Sequence, residues 1–150
     1  MTEFEKLIDY AYERNIDTYS EYYTSQAKGS CLTNEYGSIV VINKRVVNDK
    51  TDELCVLAEE IGHIETGAVL PVTDYINPDY KKWLKRKNEI LACRWAIVRL
   101  IPPNRIQAAL NNCCSNDYEI ANYCGVTTEF LHSAVEYYKR KGIVFTSNSD

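Results

Sequence analysis

The sequence predicts a mostly helical α+β domain. Apolar residues recur at helical spacing through most of the chain, whereas one run, residues 38–43, is rich in residues that favour strands. The chain has 150 residues, of which 45% are hydrophobic and 25% are charged, so it has the size and composition of one globular unit. We therefore expect a single α+β domain over residues 1–150.

The first third of the chain predicts one helix and a small ribbon. Residues 3–14 carry their apolar side chains on one helical face. A loop is expected after this helix. Residues 30–43 then predict a hairpin or a two-stranded ribbon, with a turn at residues 34–37.

A second helix is expected to open near residues 48–52, with Thr51 or Asp52 as its cap. Its apolar residues form a core stripe at helical spacing, and Gly67 can end it in a left-handed conformation. Residues 68–80 contain two prolines and predict a loop.

The rest of the chain predicts four more helices. A long one covers about residues 79–100, because Pro102 and Pro103 prevent it from continuing. Three short helices follow, of which Gly125 and Gly142 close the last two. Their expected ranges are 104–111, 117–124 and 128–141.

Composition also bears on the compartment. No apolar run approaches the roughly 18 residues that a membrane span needs, and no charged start followed by an apolar segment indicates export, so we expect a cytoplasmic protein. Its six cysteines are then expected to be reduced, and none forms a Cys-x-x-Cys pair. Adjacent Cys113 and Cys114 are interpreted as small buried hydrophobic residues.

Positive charge is concentrated in one part of the chain. Residues 76–105 contain eight bases and two acids, and most of these bases lie in "KKWLKRK" at residues 81–87. Such a segment could contact phosphate or an acidic partner. The simpler interpretation is a solvated helix face or a linker.

The stretch "LAEEIGHIETG" at residues 57–67 differs by one letter from the His-Glu-x-x-His helix of zinc proteases. Glu59 and His63 lie four residues apart on one helical face and can bind one ion, while Glu60 beside them can accept a proton from water. Glu89 is the candidate third ligand, since Ala92 and Ala96 make its helix face small. The alternative is a solvated acidic face with a hydrogen-bonded histidine. His132 is interpreted as an isolated surface histidine.

Two motifs carry a resemblance to a known family. "VLAEEIGHIETG", preceded by "YGSIVVINKRV" and followed by "RKNEILACRWAIVRLIPP", resembles the ImmA/IrrE family of metallo-endopeptidases. The similarity covers about residues 29–141. Residues matching the second motif of that family, Glu-x-x-Ala-x-x-Phe/Trp-Ala, are Glu89, Ala92, Trp95 and Ala96.

The resemblance implies a zincin-like metal helix within a catalytic core at residues 1–100. It implies that His63 and Glu89 are metal ligands and that Glu60 is the general base. Glu59 stands in place of the first histidine, and zinc accepts carboxylate oxygen as a ligand. The expected cofactor is zinc, although a site with one histidine and two carboxylates should tolerate manganese better than the usual site.

The resemblance also implies a partner. It implies cleavage or inactivation of a helix-turn-helix repressor of a phage or mobile element. We expect an extended substrate segment to add as a strand to the predicted ribbon. The expected contact residues are Ser38, Ile39, Val40 and Val41. A competing class is a non-catalytic protein that keeps the fold and captures the repressor without cutting it.

The C-terminal part, residues 101–150, predicts a helical subdomain. Ala121, Gly125 and Leu131 have the spacing of a helix-turn-helix, which is the basis of a third reading as a DNA-binding protein. Residues 104–150 contain four bases and five acids, however, and Glu129 lies near the tip of the would-be recognition helix. Because DNA phosphates require Lys and Arg, we favour a packing role and expect no direct DNA binding by this element.

Overall fold

The computed structural model describes residues 1–68, 76–112 and 114–147. Within these ranges the protein is a mixed α/β structure, mostly helical, with one small sheet, as the sequence predicts. The elements are α1 (Glu3–Glu13), β1 (Ile16–Glu21), β2 (Gly29–Asn34), β3 (Gly37–Asn43), α2 (Lys50–Glu65), α3 (Pro78–Leu100), α4 (Pro103–Asn111), α5 (Asp117–Cys124) and α6 (Thr128–Arg140). No helix in these ranges is long and apolar enough to cross a membrane.

The sheet has three strands in the order β1-β3-β2. β2 and β3 form the predicted antiparallel ribbon, in which Asn34 pairs with Gly37 across the turn. β1 was predicted as loop, and that prediction is wrong, because six residues of β1 pair in parallel with β3. The strand is hard to recognise from sequence because only Ile16 is fully buried while its other residues are polar or exposed.

The connection between β1 and β2 is held by one buried side chain. Asn43, at the end of β3, is fully buried, and its Nδ2 donates to the carbonyl oxygens of Ser25 (3.2 Å) and Ala27 (3.1 Å). Its Oδ1 accepts a hydrogen bond from the backbone N–H of Arg45 at 3.1 Å. Asn43 therefore fixes the start of β2 against the end of β3.

The ends of α2 differ in how well they were predicted. The cap is Asp49, whose side chain accepts from the backbone N–H of Asp52 at 2.8 Å, so the prediction of Thr51 or Asp52 is wrong. Asp52 is instead buried and accepts hydrogen bonds from Lys28 Nζ and from the backbone of the preceding loop. At the other end, Gly67 has φ +64° and ends the helix as predicted.

The expected loop at residues 68–80 lies partly outside the described residues. Residues 69–75 are not described, and residues 78–80 already belong to α3. The remaining helix ends agree with the predictions to within one residue. Gly125 and Gly142 have positive φ after α5 and α6, as their predicted closing role requires.

One buried cluster joins the two halves of the chain. It includes Leu57 and Ile61 of α2 together with Leu131 and Tyr138 of α6. Tyr138 Oη also donates to the carbonyl oxygen of Ile101 at 3.0 Å. α5 and α6 thus pack against the rest of the protein through their apolar faces.

The helices α2 and α3 are in contact at the level of their backbones. A Cβ placed on Gly62 would lie 2.5 Å from the carbonyl oxygen of Ala92. Ala92 and Ala96 are fully buried, as expected for a small helix face. This close approach places the side chains of α2 directly beside those of α3 at the adjacent cleft.

Candidate functional site

A cleft of about 410 Å³ opens between β2, α2 and α3. Its wall contains Glu60, His63 and Glu89, which come from the two helices that the sequence singled out. Gly29 and Cys31 of β2 form the opposite side. The cleft therefore brings together three of the four predicted site residues on the helices.

His63 is oriented by a backbone group. Its Nδ1 lies 2.7 Å from the carbonyl oxygen of Ala68, and a carbonyl oxygen can only accept, so Nδ1 carries the proton. The Nε2 atom then faces Glu89, 3.5 Å from Oε2. In a metal-binding histidine, the ring nitrogen that does not bind the metal usually donates its proton to an oxygen such as a backbone carbonyl.

The separation between His63 and Glu89 suits a shared ion. Two ligand atoms about 2.1 Å from one tetrahedral zinc ion lie roughly 3.4 Å apart. The Nε2–Oε2 distance is 3.5 Å, which is long for a direct hydrogen bond. This pair of donors therefore fits the zinc ion that the sequence resemblance implies.

The same pair has coupled protonation. Contact with the Glu89 carboxylate raises the pKa of His63 to about 9. In turn, the His63 imidazolium lowers the pKa of Glu89, and Lys85 contributes in the same direction. Without a metal, His63 is therefore charged at neutral pH, and a metal ion would have to displace its proton.

Glu60 projects from α2 towards β2. A Cβ on Gly29 would lie 2.7 Å from Val56 Cγ1 and 3.0 Å from Glu60 Cγ, so glycine allows the strand to come this close to α2. Burial raises the pKa of Glu60, which moves this carboxylate towards the range of a useful proton acceptor. Burial, followed by the charge of Glu60, raises the pKa of the Cys31 thiol to about 12.

Glu59 is close to this group but does not line the cleft. Burial raises its pKa to about 7, and the negative charges of Glu89 and Glu60 add to the effect. Among the described residues, no three His, Cys, Asp or Glu side chains lie close enough together to hold a metal ion. The geometry thus supplies two of the three predicted ligands at the cleft and leaves Glu59 beside it.

Asn88 is a cleft residue that the sequence did not indicate. It precedes Glu89 on α3, is 7% exposed and forms part of the cleft wall. Within the described part of the chain its Nδ2 has no hydrogen-bond partner. A buried amide of this kind can bind a carbonyl oxygen of a substrate. Only its position next to Glu89 could have pointed to it.

The predicted substrate surface needs a correction. Ser38, Ile39, Val40 and Val41 belong to β3, whose backbone pairs with β1 on one side and β2 on the other. A central strand has no free backbone groups for another strand, so strand addition at β3 is wrong. In the described sheet β2 is the edge strand next to the cleft.

The remaining candidates lie away from the cleft. His132 is exposed, as predicted, but it is not isolated, because its Nε2 lies 2.7 Å from Asp117 Oδ2. The five described cysteines are free thiols, and Cys114 is only partly buried, while Cys113 lies outside the described residues. Residues 81–87 form the N-terminal half of α3, where all but one residue is exposed.

The helix pair and its cleft suggest a peptidase, and comparison with known proteins finds a match to a peptidase domain. The family model of peptidase M78, described as the IrrE N-terminal-like domain, matches residues 13–136. Because this match covers most of the chain, the protein belongs to that family. No curated protein and no solved structure matches it.

Family membership confirms the resemblance inferred from the two sequence motifs. It indicates a function of the metallopeptidase type, a protein substrate and a divalent metal, typically zinc. His63 and Glu89 are the residues that would hold such an ion. This chain has Glu59 where the usual motif has a histidine, and the family match gives no information about that difference.

Proposed function

We propose that this protein is a metal-dependent endopeptidase in which Glu60 is the general base. One observation carries the proposal: His63 Nε2 faces Glu89 Oε2 at 3.5 Å in a cleft that Glu60 also lines. Metal-binding and proton-accepting groups thus share one solvent-open space. Family membership independently supports the peptidase class.

Each residue has a distinct proposed role. The Ala68 carbonyl oxygen keeps the proton of His63 on Nδ1, so that Nε2 is the ligand atom. Glu60 accepts a proton from water at its carboxylate and later delivers it to the leaving amine. When bound, zinc supplies Lewis-acid chemistry to the scissile carbonyl.

Glu59 is proposed as the third ligand. It precedes His63 by one helical turn. Burial, followed by repulsion from the Glu89 and Glu60 carboxylates, raises its pKa to about 7, and a cation would relieve that repulsion. Replacing histidine by carboxylate makes the site harder and more anionic. Manganese should therefore compete with zinc better here than in a site with two histidines.

The proposed substrate is an extended protein segment that pairs with the edge of β2. Gly29 and Cys31 of this strand line the cleft, so backbone pairing there would bring a peptide bond beside Glu60. By its similarity to the ImmA/IrrE group, we propose that the substrate is a helix-turn-helix repressor of a phage or mobile element.

Zinc titration of single variants tests the ligand set. His63→Ala and Glu89→Ala are expected to lose most of the zinc affinity. Glu59→Ala should weaken binding, and Glu59→His should restore it to at least the wild-type level. Isothermal titration in one buffer measures all of them. Wild-type affinity in Glu59→Ala would show that Glu59 is not a ligand.

The control for this series is Glu13→Ala. Glu13 is exposed and lies on α1. Glu65 lies on α2, the same helix as His63, but it is unsuitable as a control. Glu65 accepts a hydrogen bond from Tyr10 Oη at 2.6 Å, so its removal would disturb packing. Equal zinc affinity in all variants, the control included, would refute the proposed site.

A second candidate is a binding protein that captures the repressor without cutting it. The position of Glu59 outside the cleft wall favours it, because an incomplete ligand set would hold metal weakly. Glu60→Gln separates the two functions, since it should abolish cleavage and leave metal content near wild type. If wild type and Glu60→Gln both bind the repressor and neither cuts it, the binding function is correct.

A further inference from the structure

Four basic residues lie on one face of the N-terminal half of α3, and we call them the basic track. They are Lys81, Lys82, Lys85 and Arg86. Their spacings of one, four and five residues place them within about 140° of the helix circumference. All four are exposed. Glu89 continues the same face one turn after Lys85.

The cations of the basic track have no direct acidic partner in the described residues, although the charge of Lys85 acts on Glu89 from a distance. Within the described residues, none of the four side chains forms a hydrogen bond or an ion pair with an acidic group. The chain has a net charge of −4, yet most of its acidic residues lie outside α3. Only Asp79 and Glu89 are acidic residues of α3. The track is therefore open to an external anion.

The basic track leads into the candidate site. Lys85 lines the cleft together with His63 and Glu89. From Lys81 to Glu89 the helix rises about 12 Å, since each residue adds about 1.5 Å. An extended peptide covers that length in three or four residues. A substrate segment that leaves the cleft along α3 would place its flanking residues on the track.

We propose that the basic track is a specificity site for acidic residues that lie about two to four positions from the scissile bond. This inference rests on the proposed peptidase function and names the class of its substrate. Lys85 would contact the acid nearest the cleft, and Lys81 the one farthest from it. Unpaired surface cations at this distance also raise the rate at which an acidic segment reaches the site.

A nucleic acid fits the same surface less well. The track ends at Glu60 and Glu89, whose negative charges would repel a phosphate backbone entering the cleft. The exposed aromatic residues of this segment, Tyr80 and Trp83, stack on each other with ring centres 5.7 Å apart. By helical spacing they lie on the opposite side of α3, so they cannot stack on bases held over the track.

Peptide binding tests the proposal with defined probes. Each labelled peptide has the same neutral six-residue segment and a tail of four identical residues, which are Glu, Gln or Lys. Each of the three tails is tested at the N-terminal end and at the C-terminal end of the segment. Fluorescence anisotropy is measured with the wild-type protein, with and without added zinc. We expect the Glu-tailed peptide to bind about tenfold more tightly than the Gln-tailed one in 50 mM NaCl, with the ratio falling below about threefold in 300 mM NaCl.

Two matched variants identify the surface. The track variant changes Lys81, Lys82, Lys85 and Arg86 to Gln and should bind both tails equally. The control variant makes the same charge change at exposed bases elsewhere and should keep the tenfold ratio. Its substitutions are K44Q, R45Q, K50Q and K139Q. An equal loss of preference in both variants would overturn the proposal.

Two further measurements separate the competing explanations. If a 20-nucleotide DNA, single-stranded or duplex, binds more tightly than the Glu-tailed peptide and loses affinity in the track variant, the surface serves nucleic acid and the proposal is wrong. Hydrolysis is followed in parallel. Selective binding without hydrolysis supports the track and contradicts the peptidase, whereas hydrolysis without tail preference supports the peptidase and contradicts the track.

Discussion

The metal-free protein should become more stable when Glu59 is replaced by glutamine. Burial and the neighbouring charges of Glu89 and Glu60 raise the pKa of Glu59 from 4.5 to about 7. Below pH 4.5 the side chain is protonated in both the folded and the unfolded chain. Between pH 4.5 and 7 the unfolded chain loses the proton first, so stability falls as the pH rises through this window. Glutamine has nearly the same shape and carries no proton to lose.

The size of the effect follows from the shift. The rise in the pKa of Glu59 from 4.5 to about 7 corresponds to about 3 kcal/mol, an upper value for the gain in unfolding free energy at pH 8. For a domain of this length we expect Tm to rise by about 6–12 °C. Urea denaturation and thermal melts in EDTA, at pH 4 and at pH 8, measure both quantities.

The comparison between the two pH values is the decisive part of this experiment. Glu59→Gln and wild type should differ little at pH 4 and by a few kcal/mol at pH 8. Glu13→Gln, an exposed change on α1, should leave stability unchanged at both. A gain below about 0.5 kcal/mol at pH 8, or an equal gain at pH 4, would show that Glu59 does not experience the burial and repulsion described here.

Three further experiments test close contacts at the α2–α3 interface, at Asn43 and at Cys31. Gly62→Ala forces a Cβ against the Ala92 carbonyl oxygen and should lower the unfolding free energy by about 3 kcal/mol, which urea denaturation measures. A loss below about 1 kcal/mol would contradict the tight α2–α3 contact. Asn43→Ala should cost about 3 kcal/mol in the same assay, because two carbonyl oxygens lose their donor, whereas a neutral result would show that the β1–β2 connection does not depend on it. Cys31 should react slowly with iodoacetamide at pH 8 in EDTA, and Glu60→Gln should speed the reaction by lowering the pKa of the Cys31 thiol. Mass spectrometry of the labelled peptide measures the rate. An unchanged rate in Glu60→Gln would refute the coupling between the two groups.

The sequence predicted the helices well because their evidence is local. Apolar spacing, prolines and glycines all lie within the segment that they define, as Gly67 at the end of α2 illustrates. β1 could not be recognised in this way, because its stability comes from pairing with β3 and not from its own apolar pattern. The order of the strands was inaccessible for the same reason, and the substrate surface was therefore assigned to the central strand.

The residues of the candidate site differ in the same way, because local sequence indicates some of them and only tertiary packing brings in the others. Glu60 and His63 are neighbours on one helix, so their spacing indicated a shared face, and the motif similarity added Glu89. Cys31 and Asn88 enter the cleft only through tertiary packing, and nothing in their sequence surroundings distinguishes them. The position of Glu59 beside the cleft depends on the rotation of α2 against α3, which spacing along one helix does not determine.

The contact between Gly62 and Ala92 has a thermodynamic consequence for the ion. Glu89 precedes Ala92 by three residues and His63 follows Gly62, so the distance between the two candidate ligand-bearing backbones is set where main chain meets main chain. Main-chain positions within packed helices vary far less than side-chain rotamers do. The backbone ordering entropy of the site is therefore lost during folding, and what is left for metal binding is the ordering of side chains such as Glu89, which is 58% exposed. We expect zinc association to leave the secondary structure of the protein unchanged.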